Sequence, residues 1–144
     1  MIRIEITGAE AIQTRFLDLP ARLEAGVLRD MAQIVYDTAQ RGADAHTKTG
    51  RLARSLYVRE IPHGRIIGHN LEHAPHALFV HWGTKPHVIE RKHKKALRWP
   101  SGGDFAFAKR VNHPGYKGDA WLIRAADEAV RQFDAIVTKH LKGS

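Results

Sequence analysis

The sequence predicts an α+β domain in which two long amphipathic helices pack on a mostly antiparallel sheet, with a protruding basic hairpin. Three observations carry this. Leu23, Val27, Met31, Ile34, Val35 and Thr38 fall at helical spacings, and so do Leu122, Ala126, Ala129, Phe133, Ile136, Val137 and Leu141. Between these stretches, short apolar runs are cut by Pro and Gly turn signals, the pattern of hairpins. No linker, repeat or low-complexity tract divides residues 1–144, so a single domain is expected, long enough to bury a core.

In chain order, Ile2, Ile4 and Ile6 alternate with Arg3 and Glu5 as in a strand, and a short helix is expected from Ala9 to Leu17. The first long helix begins near Pro20, with Asp18 as its cap, and ends near Arg41-Gly42. Thr49 is placed to cap a turn through Arg51, Leu52 and Arg54. Ser55–Ile61 reads as a strand, with Leu56, Val58 and Glu60 on one face. Pro62-His63-Gly64 turns it back into Arg65–His69. Ala74–Val80 fits either a strand or a short helix, and Gly83-Thr84-Lys85-Pro86 must end it. His87–Glu90, Ala96–Trp99 and Phe105–Val111 are strand candidates for a second, more exposed hairpin, stopped at Asn112-His113-Pro114-Gly115. Asp119 is placed to cap the last helix, whose final turn carries Lys139, His140 and Lys142.

Composition narrows the functional classes. With 43% apolar and 26% charged residues the chain is ordinary for a soluble protein. No apolar run is long enough for a membrane span, and the alternating N-terminus lacks the apolar core of a signal peptide, so cytoplasmic synthesis and folding are expected. The absence of cysteine excludes disulfides, thiolate metal sites and cysteine nucleophiles. The formal charge of +8 favours an acidic partner or nucleic acid. Lys85, Arg91, Lys92, Lys94, Lys95 and Arg98 face only Glu90 in their stretch. That cluster fits a contact surface for an acidic protein or DNA, and equally a solvated hairpin whose lysines keep edge strands from mispairing.

A convergent catalytic set is not evident. Ten histidines invite a metal reading, but Pro75 interrupts any helix aligning His69, His73 and His76, and no His-Glu-x-x-His pattern exists. These histidines are expected at the surface or an interface, with no metal and no cofactor. A histidine pair drawn from His81, His87, His93 and His113 has the chemistry to act as base and acid on a phosphodiester, but no spacing fixes it. Gly102-Gly103 lacks the lysine and hydroxyl of a phosphate loop, and neither Ser55 nor Ser101 lies in a nucleophile elbow. Trp82, Trp99, Trp121, Tyr57 and Tyr116 suit core packing first; only Trp99, beside the basic turn, has the setting of a base-stacking platform.

Three ordered segments carry a resemblance. Thr49-Gly50-Arg51-Leu52-Ala53-Arg54-Ser55-Leu56 follows the first long helix. Ala77-Leu78-Phe79-Val80-His81-Trp82-Gly83-Thr84 precedes Pro86-His87-Val88-Ile89 and Lys95-Ala96-Leu97. Val111-Asn112-His113-Pro114-Gly115 leads to the last helix. Together, over essentially the whole chain, they resemble the minor-tail and neck proteins of siphophages and prophages, the head–tail connector or tail-completion family. That family commonly opens its last helix with a proline–aromatic–leucine step. Here Ala120-Trp121-Leu122 keeps the aromatic without the proline, which leaves the approach angle of that helix open.

The resemblance implies a structural virion protein, not an enzyme, made in the host cytoplasm and assembled as a homo-oligomeric ring. Its neighbours would be head-completion, portal or tail-tube proteins, with possible non-specific contact to packaged DNA and none to membrane. Thr49, Gly50, Leu52, Ser55, Leu56, Phe79, Gly83, Thr84, His113, Pro114, Gly115, Trp121 and Leu122 then set shape. The exposed loops near Thr47–Arg51 and Lys85–Arg98 are the candidate intersubunit or DNA contacts, the basic residues of the second forming the candidate interaction surface. A basic nucleic-acid-binding or RNA-cleaving protein is the alternative.

Overall fold

Helical periodicity sets the frame, and the computed structural model, which describes residues 3–4, 21–46 and 48–142, carries it through. The expected Ala9–Leu17 helix and the Asp18 cap lie outside the described residues. Helix α1 (Ala21–Asp44) turns Leu23, Val27, Met31, Ala32, Val35, Ala39 and Ala43 inward. It packs chiefly on α4 (Trp121–Arg131) and α5 (Phe133–Lys142). Gly42 does not end α1 as expected, because the helix runs two residues further. A Cβ at Gly42 would lie 2.4 Å from the Cβ of Trp121, so glycine lets the two helices close at this point.

The expected last helix is interrupted at Gln132. The backbone N–H of Gln132 divides between the carbonyls of Glu128 and Ala129, a local tightening that separates α4 from α5. Lys139 and His140 do more than face a helix dipole: both meet Asp30 of α1, at 2.8 and 2.9 Å, tying the chain's last turns to its first long helix. Asp119 is no cap. Ala120 holds that position without a side-chain bond, while the Asp119 carboxylate binds His46 at 2.6 Å and also Arg124.

Against the helices lies a three-stranded antiparallel sheet in the order β1 (Arg3–Ile4), β3 (Gly64–His69), β2 (Leu56–Ile61). The strand expected at the N-terminus is described only at Arg3–Ile4. Ile66 and Ile67 of the central strand are both buried, each contributing roughly 1.5–3 kcal/mol. Burial stops early on β2, an edge strand: Leu56 reaches the core, but Val58 and Glu60 are exposed. The turn α2 (Arg51–Arg54) forms as expected but is not capped by Thr49. Gly50 takes the N-cap at φ 72°, and the Arg54 side chain binds the Thr49 carbonyl instead.

The ambiguous segment resolves as a short helix, α3 (Ala77–Trp82), ended by Gly83. Beyond it, β4 (His87–Glu90) pairs with β7 (Arg110–His113), and β5 (Leu97–Ser101) pairs with β6 (Asp104–Ala108). The expected Phe105–Val111 strand is therefore divided at Lys109, opposite a six-residue excursion between Glu90 and Leu97. Asn112 and His113 continue the ladder where a stop was expected.

Two backbone segments cross where α3 gives way to β4. Thr84 and Tyr116 exchange hydrogen bonds of 2.7 and 2.9 Å, and Asp119 N–H reaches Val80 O at 3.0 Å. Gly83, at φ 82°, lies where a Cβ would be 2.2 Å from Tyr116 O; Gly115, at φ 86°, lies where one would be 2.4 Å from Thr84 O. Gly83→Ala is expected to cost about 3 kcal/mol in urea unfolding, since both backbone conformation and contact forbid a Cβ. Gly102→Ala, at φ 57° with open space around it, should cost only about 1 kcal/mol. Equal losses would show that conformation alone, not the crossing, sets the requirement at Gly83.

Candidate functional site

The buried polar groups gather around one indole. Trp121 is 1% exposed and donates its Nε1–H to His69 Nε2 at 3.1 Å. His69 Nδ1 meets Ser55 Oγ at 2.8 Å, and that hydroxyl donates to Leu52 O at 2.7 Å. Since Ser55 gives its proton to a carbonyl and Trp121 gives one to Nε2, His69 must be the neutral tautomer protonated at Nδ1. The relay is closed, and Ser55 has no free base to activate it. Desolvation holds His69 down to about 4, against weaker support from the Leu52 carbonyl.

His81 packs nearly perpendicular to Trp82 and Trp121, with ring centroids 4.5 and 4.9 Å away. Among the described residues neither of its ring nitrogens finds a hydrogen-bond partner, and burial lowers its pKa. His69 and His81 thus depart from the expectation that the histidines lie on the surface, whereas His73 and His76 are exposed. Asp119, pulled down to about 2 first by Arg124 and then by His46, stays ionised beside this cluster.

The outer surface has a different character. An open groove of about 740 Å³ is lined by Phe79, Val80 and Tyr116 together with Lys85, His87 and His113. Phe79 and Trp82 are each more than half exposed. From the β4–β7 end of this groove the two nested ladders lead to a tip where Trp99, Phe105 and Phe107 are exposed, Arg98 lying 4.0 Å over the Phe105 ring.

The residues singled out from the sequence fall into separate places. Leu52, Ser55, Leu56, Trp121 and Leu122 are buried. Gly83, Thr84 and Gly115 meet at the backbone crossing, where the Thr84 hydroxyl has no partner among the described residues. Thr49, Phe79 and Pro114 are exposed, and His113 is half-buried in the groove lining. The six basic residues are not one patch. Lys85 edges the groove and Arg98 covers Phe105, while Arg91, Lys92, Lys94 and Lys95 lie exposed in the excursion between β4 and β5. Gly42, Gly118 and the buried histidines escaped sequence reading. A glycine inside a helical stripe is a signal of close approach that could have found the first.

Among the described residues no group of three or more His, Cys, Asp or Glu is placed to hold a metal ion. One histidine pair does converge: His87 and His113 face each other across β4–β7 with ring centroids 5.0 Å apart. His87 Nδ1–H donates to Lys85 O at 2.8 Å, leaving a lone pair on Nε2. Gly115 N–H donates to His113 Nδ1 at 3.1 Å, leaving the proton on Nε2. That Nε2–H can donate a hydrogen bond but offers no lone pair to a metal ion.

Stability should follow the buried histidines. The unfolded chain protonates His69 near 6.5, and the folded chain does so only near 4. Stability therefore rises with pH across that window. Denaturation at pH 5 should give about 2 kcal/mol less stability than at pH 7 from His69 alone, with His81 adding in the same direction. A flat profile between these pH values would contradict the buried, neutral assignment. Compared with family models, curated proteins and solved structures, the chain matches none.

Proposed function

We propose that the chain is a structural subunit of the neck of a tailed bacteriophage, acting in head–tail joining or tail completion by assembling into a ring. The reading begins with the three ordered segments around Gly50, Gly83 and Gly115. The observation that carries it further is an outer surface unsuited to a solitary protein. Phe79, Trp82, Val88, Trp99, Phe105 and Phe107 are all exposed. We read the stretch from Lys85 to His113, which includes Val88, Trp99, Phe105 and Phe107, as the basic hairpin: its eight Lys and Arg face two acids, most of the chain's positive excess. Aromatic and cationic surface on one arm suits docking to an acidic neighbour such as a portal, head-completion or tail-tube protein, with packaged DNA within its electrostatic reach.

The buried Ser55–His69–Trp121 relay belongs to this picture as scaffold, since every proton in it is already committed. The subunit would be made in the host cytoplasm and end in the virion. Replacing Lys92, Lys94 and Lys95 together with Glu should abolish infectious assembly while changing the stability of the isolated chain by no more than about 0.5 kcal/mol. Normal particle yield from that variant would defeat the proposal.

A second reading, RNA cleavage, draws on the opposite tautomers of His87 and His113 beside Lys85. The free Nε2 lone pair of His87 is what a general base requires, and the acid would have to be supplied by a protonated imidazole beside it. Labelled RNA incubated with the protein in chelator separates the two. Cleavage that His113→Gln removes would favour the enzyme, and intact RNA favours assembly.

A further inference from the structure

Helix α3 is held to the domain by a histidine. Its six residues make fewer than two turns, too short to stand without packing. Ala77 and His81 are its buried residues; Leu78 and Val80 pack on the core in part, while Phe79 and Trp82 are exposed. Alanine offers one methyl group. The imidazole of His81, 1% exposed and lying against the indole of Trp121, is therefore the largest side chain that α3 buries in full.

The surroundings of that ring suit only its neutral form. Neither ring nitrogen meets a hydrogen-bond partner among the described residues, and the Thr84 hydroxyl three residues on is buried in the same condition. A cation there would lose hydration without gaining an acceptor. The charged neighbours do not supply one. Asp119 attracts the charge, but one of its carboxylate oxygens is held by His46, just beyond α1, and the other by Arg124 of α4. Arg124 in turn repels it. His69 of β3 has both ring nitrogens bonded, to Ser55 and Trp121, and is kept neutral by burial. Desolvation thus outweighs Asp119 and pulls His81 below its ordinary value of 6.5.

A proton on His81 is accommodated if the whole domain unfolds or if α3 alone lifts away. The second exposes less. Asp119 N–H to Val80 O, at 3.0 Å, ties α3 to the segment before α4, whereas His69 lies on the central strand and is freed only by breaking the sheet. We propose that α3 is an acid-sensitive latch: His81 seats it against Trp121 only as a neutral ring, and protonation of His81 releases α3 while the rest of the domain stays folded. Phe79, Val80, Gly83 and Thr84 line the groove, so the release takes away one of its walls. The latch goes beyond the neck reading and does not depend on it. Its sign follows from linkage. The open state takes up a proton near 6.5 and the closed state only at lower pH, so closure is lost as pH falls, and the opening constant rises about tenfold from pH 7.5 to 5.5.

Amide hydrogen exchange on the full chain at these two pH values, corrected for the intrinsic pH dependence of exchange, tests the latch. The amides of Val80 and Gly83, bonded to His76 O and Phe79 O, should lose about tenfold in protection. At both pH values they should exchange faster than the amides of Val27 and Val35 in α1. His81→Phe keeps a ring that takes no proton and should abolish the tenfold change in α3; His81→Leu should do the same where the phenyl ring does not fit. Protection retained in α1 shows that either variant is folded. Protection in α3 that is equal at pH 7.5 and 5.5 in the unmodified chain would overturn the latch. So would α3 amides that exchange no faster than those of α1, or a tenfold loss that survives both replacements.

Discussion

The seating of Trp121 is the constraint from which the rest of the structure follows. Its Cβ is admitted by the missing side chain of Gly42, which fixes where α1 and α4 cross. Its indole N–H is committed to His69, which joins the helices to β3 and, through Ser55 and the Leu52 carbonyl, to α2. Its ring meets the edge-on His81 of α3 and lies 5.6 Å from His46 at the end of α1. Five elements are thus registered against one side chain. An indole suits this because it combines a large apolar area with a single donor that must find a partner when buried.

From Trp121 the order passes to the surface through backbone. Asp119, two residues earlier, bonds its N–H to Val80 of α3, and Gly118 leaves room for the backbone at Gly83. Gly83 and Gly115 then let the Thr84 and Tyr116 segments touch. The groove and the root of the β4–β7 ladder are built on this crossing, so their geometry is set by main chain and not by adaptable side chains. Rigid support of that kind would suit the docking role proposed for this face, because it leaves less motion to be frozen on binding.

How much of this was legible in the sequence depended on whether the signal was periodic. The two long helices were, because a stripe of apolar residues states both period and face. Gly83 and Gly115 were, as turn positions, although that they meet each other was not: contact between distant segments leaves no local trace. Gly42 was misread as a stop because glycine ends helices more often than it admits a neighbour's ring. His69 and His81 were taken for surface residues because a histidine is as polar in a buried relay as outside one, and only the partners distinguish the two. The Phe105–Val111 stretch read as one strand since a bend at Lys109 costs no change in apolar pattern. The six basic residues form one run in sequence, but strand geometry sends them to three places.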